Sequence, residues 1–148
     1  MALKSIPSSN YSAMEIALFD AITVTAAGTT TISGTLTGLD RFTSVNLFLT
    51  VTATSGTNPT LDIYVQKLCC DNSTWTDLVH FGQFTTSSAT QDCSLISASI
   101  APYATTDASL GAGLVKATHI GTTWRIKYVV GGTSNPTYTF QMYGCFFE

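Results

Sequence analysis

The stretch VNLFLTVTATSGTNPTLDIYV, Val45 to Val65, decides how the rest of the chain is read. Val45, Leu47, Leu49 and Val51 alternate with Asn46, Phe48, Thr50 and Thr52; after SGTNP, Leu61, Ile63 and Val65 alternate with Asp62, Tyr64 and Gln66. A period of two, rich in β-branched residues, is the pattern of half-buried strands. Glycine and asparagine accept left-handed backbone, and Pro59 lacks an N–H where a returning strand would begin. The segment therefore reads as an antiparallel hairpin. The same grammar returns in WRIKYVVGGTSNPTYTFQM, Trp124 to Met142, where Trp124, Ile126, Tyr128 and Val130 precede the turn signal and Tyr138, Phe140 and Met142 follow it. Superposing the two Asn-Pro-Thr units lays apolar positions on apolar positions. A second hairpin of the same register is expected, and the repeat reads as scaffold, with no reactive side chain at either turn.

Outward from these segments the chain continues as strands and turns. A strand is expected from Glu15 to Thr25 and a short one in TTTISGTLTGL. Others are expected around Trp75 to Phe84, Cys93 to Ile100 and Leu114 to Ile120. No amphipathic helix longer than about two turns is found. Roughly eight strands at this spacing make an all-β protein, a single antiparallel β-sandwich that is jelly-roll-like or a flattened barrel. Residues 1–15 are turn-rich and carry isolated apolar residues at Leu3, Ile6, Tyr11 and Met14, which reads as an extended N-terminal arm that docks on something. The sandwich domain is then 16–148.

Only 10% of the 148 residues are charged, less than half the ordinary share of about a quarter. Threonine and serine supply the polar surface instead. A surface with few charges loses little on being covered, because interface cores are depleted in charge. The net charge of −3 and six scattered Lys and Arg residues give no clustered basic field, so no nucleic-acid partner is expected. MALKSIPSSN has no apolar core of a secretory signal, and the uncharged run from Phe42 to Leu61 is too rich in Thr, Ser, Gly and Pro for a membrane span. Synthesis in a cytoplasm is expected, with Cys69, Cys70, Cys93 and Cys145 reduced.

The search for chemistry is negative. His80 and His119 are the two histidines, and neither stands in a nucleophile–base pattern. There is no Gly-x-Ser-x-Gly elbow, no His-Glu-x-x-His, no phosphate loop followed by a helix, no zinc spacing and no acid-rich calcium loop. Asp62 is the acid inside a well-defined strand and faces outward by parity. No enzyme activity, cofactor or metal is expected. Trp75, Tyr64 and Tyr143 are the aromatic residues that would stack on a sugar if they face out, which keeps a carbohydrate-binding module open as an alternative. The end of the chain, YGCFFE, places Phe146 and Phe147 where exposure would call for a partner.

TVTATSGTNPTLDIYVQ, then STWTDLVHFGQFT, then WRIKYVVGGTSNPTYTFQMYG resemble a group of small tailed-bacteriophage virion proteins. The positions that carry the resemblance are Ser55, Gly56, Thr57, Pro59, Thr60, Leu61, Asp62, Gln66, Trp75, Asp77 and Val130 to Ser134, and it covers about half the chain. The resemblance implies a capsid decoration or cement protein on the virion's capsid surface. Its partner would be the major capsid protein, and it would be a homo-oligomer, a trimer for preference. A tail or adaptor component is the structural alternative. Leu3, Ile6, Tyr11, Met14, Tyr143, Phe146 and Phe147 are the candidate capsid or subunit contacts.

Overall fold

A computed structural model describes residues 3–5, 13–25, 27–32, 34–86, 88–98 and 102–148. Among them are nine strands: β1 (Leu3–Ser5), β2 (Ala13–Thr25), β3 (Gly28–Thr31), β4 (Leu36–Thr37), β5 (Ser44–Leu68), β6 (Trp75–His80), β7 (Ala89–Ile96), β8 (Leu114–Val115) and β9 (Thr123–Phe147). Every ladder between them is antiparallel, and they form one sheet that does not close into a barrel. The expected all-β, antiparallel class is what the chain adopts.

The two stretches around Asn-Pro-Thr are not hairpins. Each is a single strand of 25 residues, and β5 and β9 pair with each other along their length. Ser44 stands opposite Phe147 at one end and Lys67 opposite Trp124 at the other. The two turn signals meet in the middle, where Thr57 faces Thr133 and the register slips between Ser55 and Thr60. This corrects the hairpin expectation: the repeat is a shared corner at which a two-stranded ribbon bends, as strands do where they pass from one layer of a sandwich to the other.

The residues that would turn one strand back on itself here bend two strands together. Gly56 (φ +101°), Asn58, Gly132 (φ +117°), Ser134 and Asn135 all have left-handed backbone. A Cβ on Gly56 would lie 2.7 Å from Pro136 Cα, and one on Gly132 would lie 3.0 Å from the Asn58 carbonyl and from Pro59 Cα. Each glycine is the point where the other strand's backbone crosses.

The register shifts between Val51 and Ala53 and again between Ser55 and Thr60, yet core-facing parity is the same on both sides of the corner. Core-facing apolar positions of β5 are odd on both sides (Val45, Leu47, Leu49 and Val51; Leu61, Ile63 and Val65), and those of β9 are even (Trp124, Ile126 and Val130; Tyr138, Phe140, Met142 and Phe146). β9 doubles over far enough that Tyr128 reaches Phe140 at 5.9 Å and Trp124 reaches Phe146 at 5.6 Å between ring centroids. Both pairs straddle Ser134 and Asn135 evenly. Two halves of one strand meet in this way only when the sheet's halves stack face to face, roughly 10 Å apart.

The first leaf carries β7 on the first half of β5, β2 on the second half of β9, and β1 outside β2. The second leaf carries β6 and then β8 beside the second half of β5, with β3 and β4 on the first half of β9. The core between the leaves is closed by Phe19 edge-on to Phe140 and by Phe42 against Phe146. The Trp124 indole N–H donates to the Ile120 carbonyl at 2.7 Å, so the largest buried ring leaves no polar atom unsatisfied.

Of the expected arm, residues 3–5 are β1 and 13–15 belong to β2; residues 1, 2 and 6–12, with Ile6 and Tyr11, lie outside the described residues. The strand expected from Leu114 to Ile120 is shorter. Only Leu114–Val115 forms a ladder, Thr118 makes an isolated parallel bridge with Ser97, and the residues before Leu114 form a loop laid across the second leaf.

Candidate functional site

The outer faces of the two leaves differ, and the difference begins with what covers them. On the second leaf, Asp62, Tyr64 and Gln66 of β5 stand beside Asp77 and His80 of β6 and Arg125 and Lys127 of β9. The 106–110 segment is fastened over them. The Asp77 carboxylate accepts hydrogen bonds from Gln66 Nε2 at 2.7 Å and from three successive backbone N–H groups, those of Ala108, Ser109 and Leu110, at 3.0–3.1 Å. Thr106 N–H donates to Thr76 Oγ1, and the Asp77 N–H donates to the Thr106 carbonyl. Burial pushes the Asp77 carboxyl up, but the bonds from Gln66, Ala108, Leu110 and Ser109 together outweigh it and hold it below the usual carboxylate range.

Asp107, on the same segment, accepts from Lys127 Nζ and Gln66 Nε2 at 2.8 Å and from Arg125 at 3.4 Å. The Lys127 bond, partly opposed by desolvation and reinforced by Gln66 and the two positive charges, lowers its pKa. Arg125 also donates to Gln66 Oε1 and lies over the Trp75 ring at 4.4 Å. Arg125 and Lys127, two residues apart on β9, are thus engaged by the chain's own acid.

His80 and Asp62 are brought together, with Nε2 at 2.9 Å from Asp62 Oδ1, a geometry that in a hydrolase orients a base. Here the other ring nitrogen lies 2.6 Å from the Leu110 carbonyl, the ring stacks on Tyr64 at 4.0 Å, and Gln83 donates to the second Asp62 oxygen. Both nitrogens are engaged, so neither is placed to take a proton from a third group. Among the described residues, no group of three His, Cys, Asp or Glu side chains is arranged to hold a metal ion.

The cysteines are unbridged. Burial, and then the charge of Asp92, push the Cys93 thiol up to about 12, so it is inert. Cys69 and Cys70 open a turn whose far side is capped by Asp71, which accepts from the N–H and hydroxyl groups of both Ser73 and Thr74. Of the sugar-stacking candidates, Tyr64 is buried and Trp75 is half-buried under Arg125.

The first leaf is built differently. On β5, β7 and β9 its outward residues are Ser44, Asn46, Phe48, Thr50, Thr52 and Ser55, then Thr90, Asp92, Ser94 and Ile96, then Thr137, Thr139, Gln141, Tyr143, Cys145 and Phe147. Asp92 is the one charge among them. Many of the polar groups are tied to one another: Thr23 to Thr139 at 2.8 Å, Ser94 to Asn46 at 2.8 Å, Thr50 to Thr90 at 3.4 Å and Ser55 to Thr137 at 2.6 Å. Through this polar weave project Phe48, 48% exposed, and Ile96, 69% exposed. Beside Phe48 lies an open groove of about 440 Å³ lined by Asn46, Asp92, Ser94, Tyr143 and Cys145.

Tyr143 and Phe147 therefore stand, half-buried, on this open face. Phe146 does not. Its even parity sends it to the core, fully buried between Phe42 and Trp124, and Gly144 leaves the room its ring needs. It is withdrawn from the candidate contacts. Met14 pairs with Phe146 and Leu3 with Ile16 in backbone register. Sequence reasoning misses Phe48 and Ile96. The available signal is Phe48 at the polar phase of an alternating strand.

No protein-family model and no curated protein matches the chain. Among solved structures, one similar chain comes from the structure of infectious bursal disease virus, Gt strain. It is 12% identical with a TM-score of 0.49, and the likeness covers 95% of this chain and 33% of that one. This chain thus spans about a third of that chain's length.

Proposed function

We propose that the chain is a structural component of a virion, a capsid decoration or cement protein that binds the assembled head and stabilises it by bridging capsid subunits. The observation that carries this reading is the contrast between the two outer faces. The second leaf is overlaid by the chain's own loop, with Leu114 and Val115 exposed at its β8 edge, whereas β5, β7 and β9 of the first present an open face with one charge, Asp92, and apolar projections at Phe48 and Ile96. Such a face loses little on being covered. The resemblance of Val45 to Thr85 and Trp124 to Gly144 to small phage virion proteins points the same way. On this reading the chain works by contact and carries no catalytic site. Each bridging contact needs only a few kcal/mol, because a symmetric shell repeats it.

The test is to add purified protein to undecorated heads and follow their melting. A rise in the melting temperature of the shell, saturating at a fixed number of copies per head, is expected. Binding without a rise would remove the cementing role, and no binding would remove the decoration role altogether.

A further inference from the structure

We propose that the cavity at the end of the second leaf binds an acidic sugar unit, with Lys67 receiving the ligand's carboxylate and Tyr103 its ring. None of the residues lining this cavity belongs to the open face of the first leaf, so the site stands whether or not that face docks on a capsid.

Charge points to the ligand's sign. Among the described side chains, Arg41 faces Glu148, and Arg125 and Lys127 face Asp107, whereas Lys67 and Lys116 have no carboxylate within 4 Å. The fold gathers these two ammonium groups, distant in sequence, around one side chain. Lys116 Nζ lies 4.4 Å from the centre of the Tyr103 ring, and the Tyr103 hydroxyl and Lys67 Nζ meet on the Thr118 hydroxyl oxygen at 3.1 and 3.0 Å. Both lysines are half-buried. An ammonium partly withdrawn from water and without a counterion favours an incoming anion.

The lining points to the ligand's chemistry. About 340 Å³ of open space lies beside Lys67, lined also by Cys70, Asn72, Tyr103, His119 and Thr122. No carboxylate lines it, and Asp71, next to Cys70, turns both oxygens onto Ser73 and Thr74. Lys67 Nζ spends two of its three hydrogens, on Thr118 and on the His119 carbonyl at 2.7 Å, and keeps one. His119 Nδ1 accepts the Gly121 N–H at 3.0 Å, so Nε2 holds the ring proton as a donor on an exposed side chain. The Asn72 amide and the Thr122 hydroxyl have no hydrogen-bond partner among the described residues.

A hydroxylated acid needs this mixture: an ammonium for its carboxylate, neutral donors and acceptors for its hydroxyls, and an aromatic ring, here 39% exposed, for its C–H face. Phosphate is matched less well. The lining has no arginine fork and no helix N-terminus to meet several oxygens at once. The volume stands at the small end of ligand pockets, roughly 300–1,000 Å³, which suits a single sugar unit.

The test is an amide chemical-shift titration of the full chain with D-glucuronate, run beside D-glucose, acetate, phosphate and a hexaglutamate peptide at equal ionic strength. Glucuronate should shift Cys70, Asn72, Tyr103 and His119 saturably, with millimolar affinity, and bind at least about ten-fold more tightly than the other four. Lys67→Gln should weaken glucuronate by about ten-fold and leave glucose unchanged. Lys67 also braces Thr118, so His119→Ala is the second variant: its exposed ring bonds only to the Gly121 amide, and its loss should weaken glucuronate about three-fold or more with the melting temperature kept. Absence of a saturable shift, equal affinity for glucose, or wild-type affinity in both variants would overturn the site. Equal binding of acetate or phosphate would make it a bare anion site, and equal binding of the peptide would assign it to an acidic protein segment; either result overturns the sugar. No heads enter this experiment, so its failure leaves the decoration reading where it stands.

Discussion

Asp77 shows how far a single side chain in this protein depends on distant parts of the chain. Its three amide donors lie 31 to 33 residues downstream, so nothing local in the sequence marks it as an anchor, while the fold makes it the anchor of an entire loop. Asp77→Asn keeps one oxygen but offers an NH₂ group to a site built from donors, and the loss of a charge-assisted bond should cost about 2–3 kcal/mol. The melting temperature should fall by roughly 5–10 °C. Amide exchange at Ala108 to Leu110 should rise more than the global loss explains. The folded-state carboxyl is held below its ordinary value, so its stabilisation is present above the unfolded value, about pH 4, and is lost as pH falls through the folded one. The wild type should therefore melt progressively lower on acidification below about pH 4, and the Asn variant should show a shallower decline. Equal slopes in the two proteins would assign the acid sensitivity elsewhere.

At the scale of elements, the repeated Asn-Pro-Thr phrase tests what alternation can and cannot tell. The period of two correctly places Val45 to Val51, Leu61 to Val65, Trp124 to Val130 and Tyr138 to Met142 in strands, and parity correctly divides their faces. It does not name a partner, because a strand with one apolar face satisfies it equally well beside either neighbour. Glycine and asparagine before proline mark a change of direction in both a hairpin and a corner, so local chemistry cannot separate the two. The distinction lies in close approach: Gly56 and Gly132 must be bare because another backbone crosses them. Gly56→Ala and Gly132→Ala should each cost roughly 1–3 kcal/mol from left-handed strain, plus a further penalty from the clash. Gly38→Ala is the control, left-handed at φ +75° but with nothing within 4 Å of a new Cβ. Thermal melts should rank both corner variants clearly below it. If Gly38→Ala is as damaging, strain alone accounts for the corner glycines and the crossing contributes nothing measurable.

For the whole molecule, the long strands remove any boundary between the leaves. β5 and β9 each contribute to both layers, so the ladder between them runs through both leaves and neither leaf opens without pulling on the strands of the other. The composition makes the all-β class and the sparsely charged surface legible, but the doubling-over depends on contacts such as Trp124 with Phe146, which belong to two ends of one strand and leave no local trace. Those contacts make unfolding cooperative. Trp124 reports separation of the leaves, since its ring packs between them, while Cys93 reports the first leaf, where its half-buried thiol packs against the core and reacts slowly until β7 detaches. In a denaturant titration of a Trp75→Phe variant, Trp124 fluorescence and the slow labelling of Cys93 should follow one transition with a common midpoint, set apart from the rapid labelling of exposed Cys70. Refolding should be slow for a chain of this length, in the millisecond-to-second range, because pairs such as Ser44 with Phe147 join the ends of the sandwich before any local contact rewards them. A Cys93 transition at lower denaturant than the Trp124 transition would mean that the first leaf detaches alone, and the bent ribbon would then be a hinge between two units instead of the spine of one.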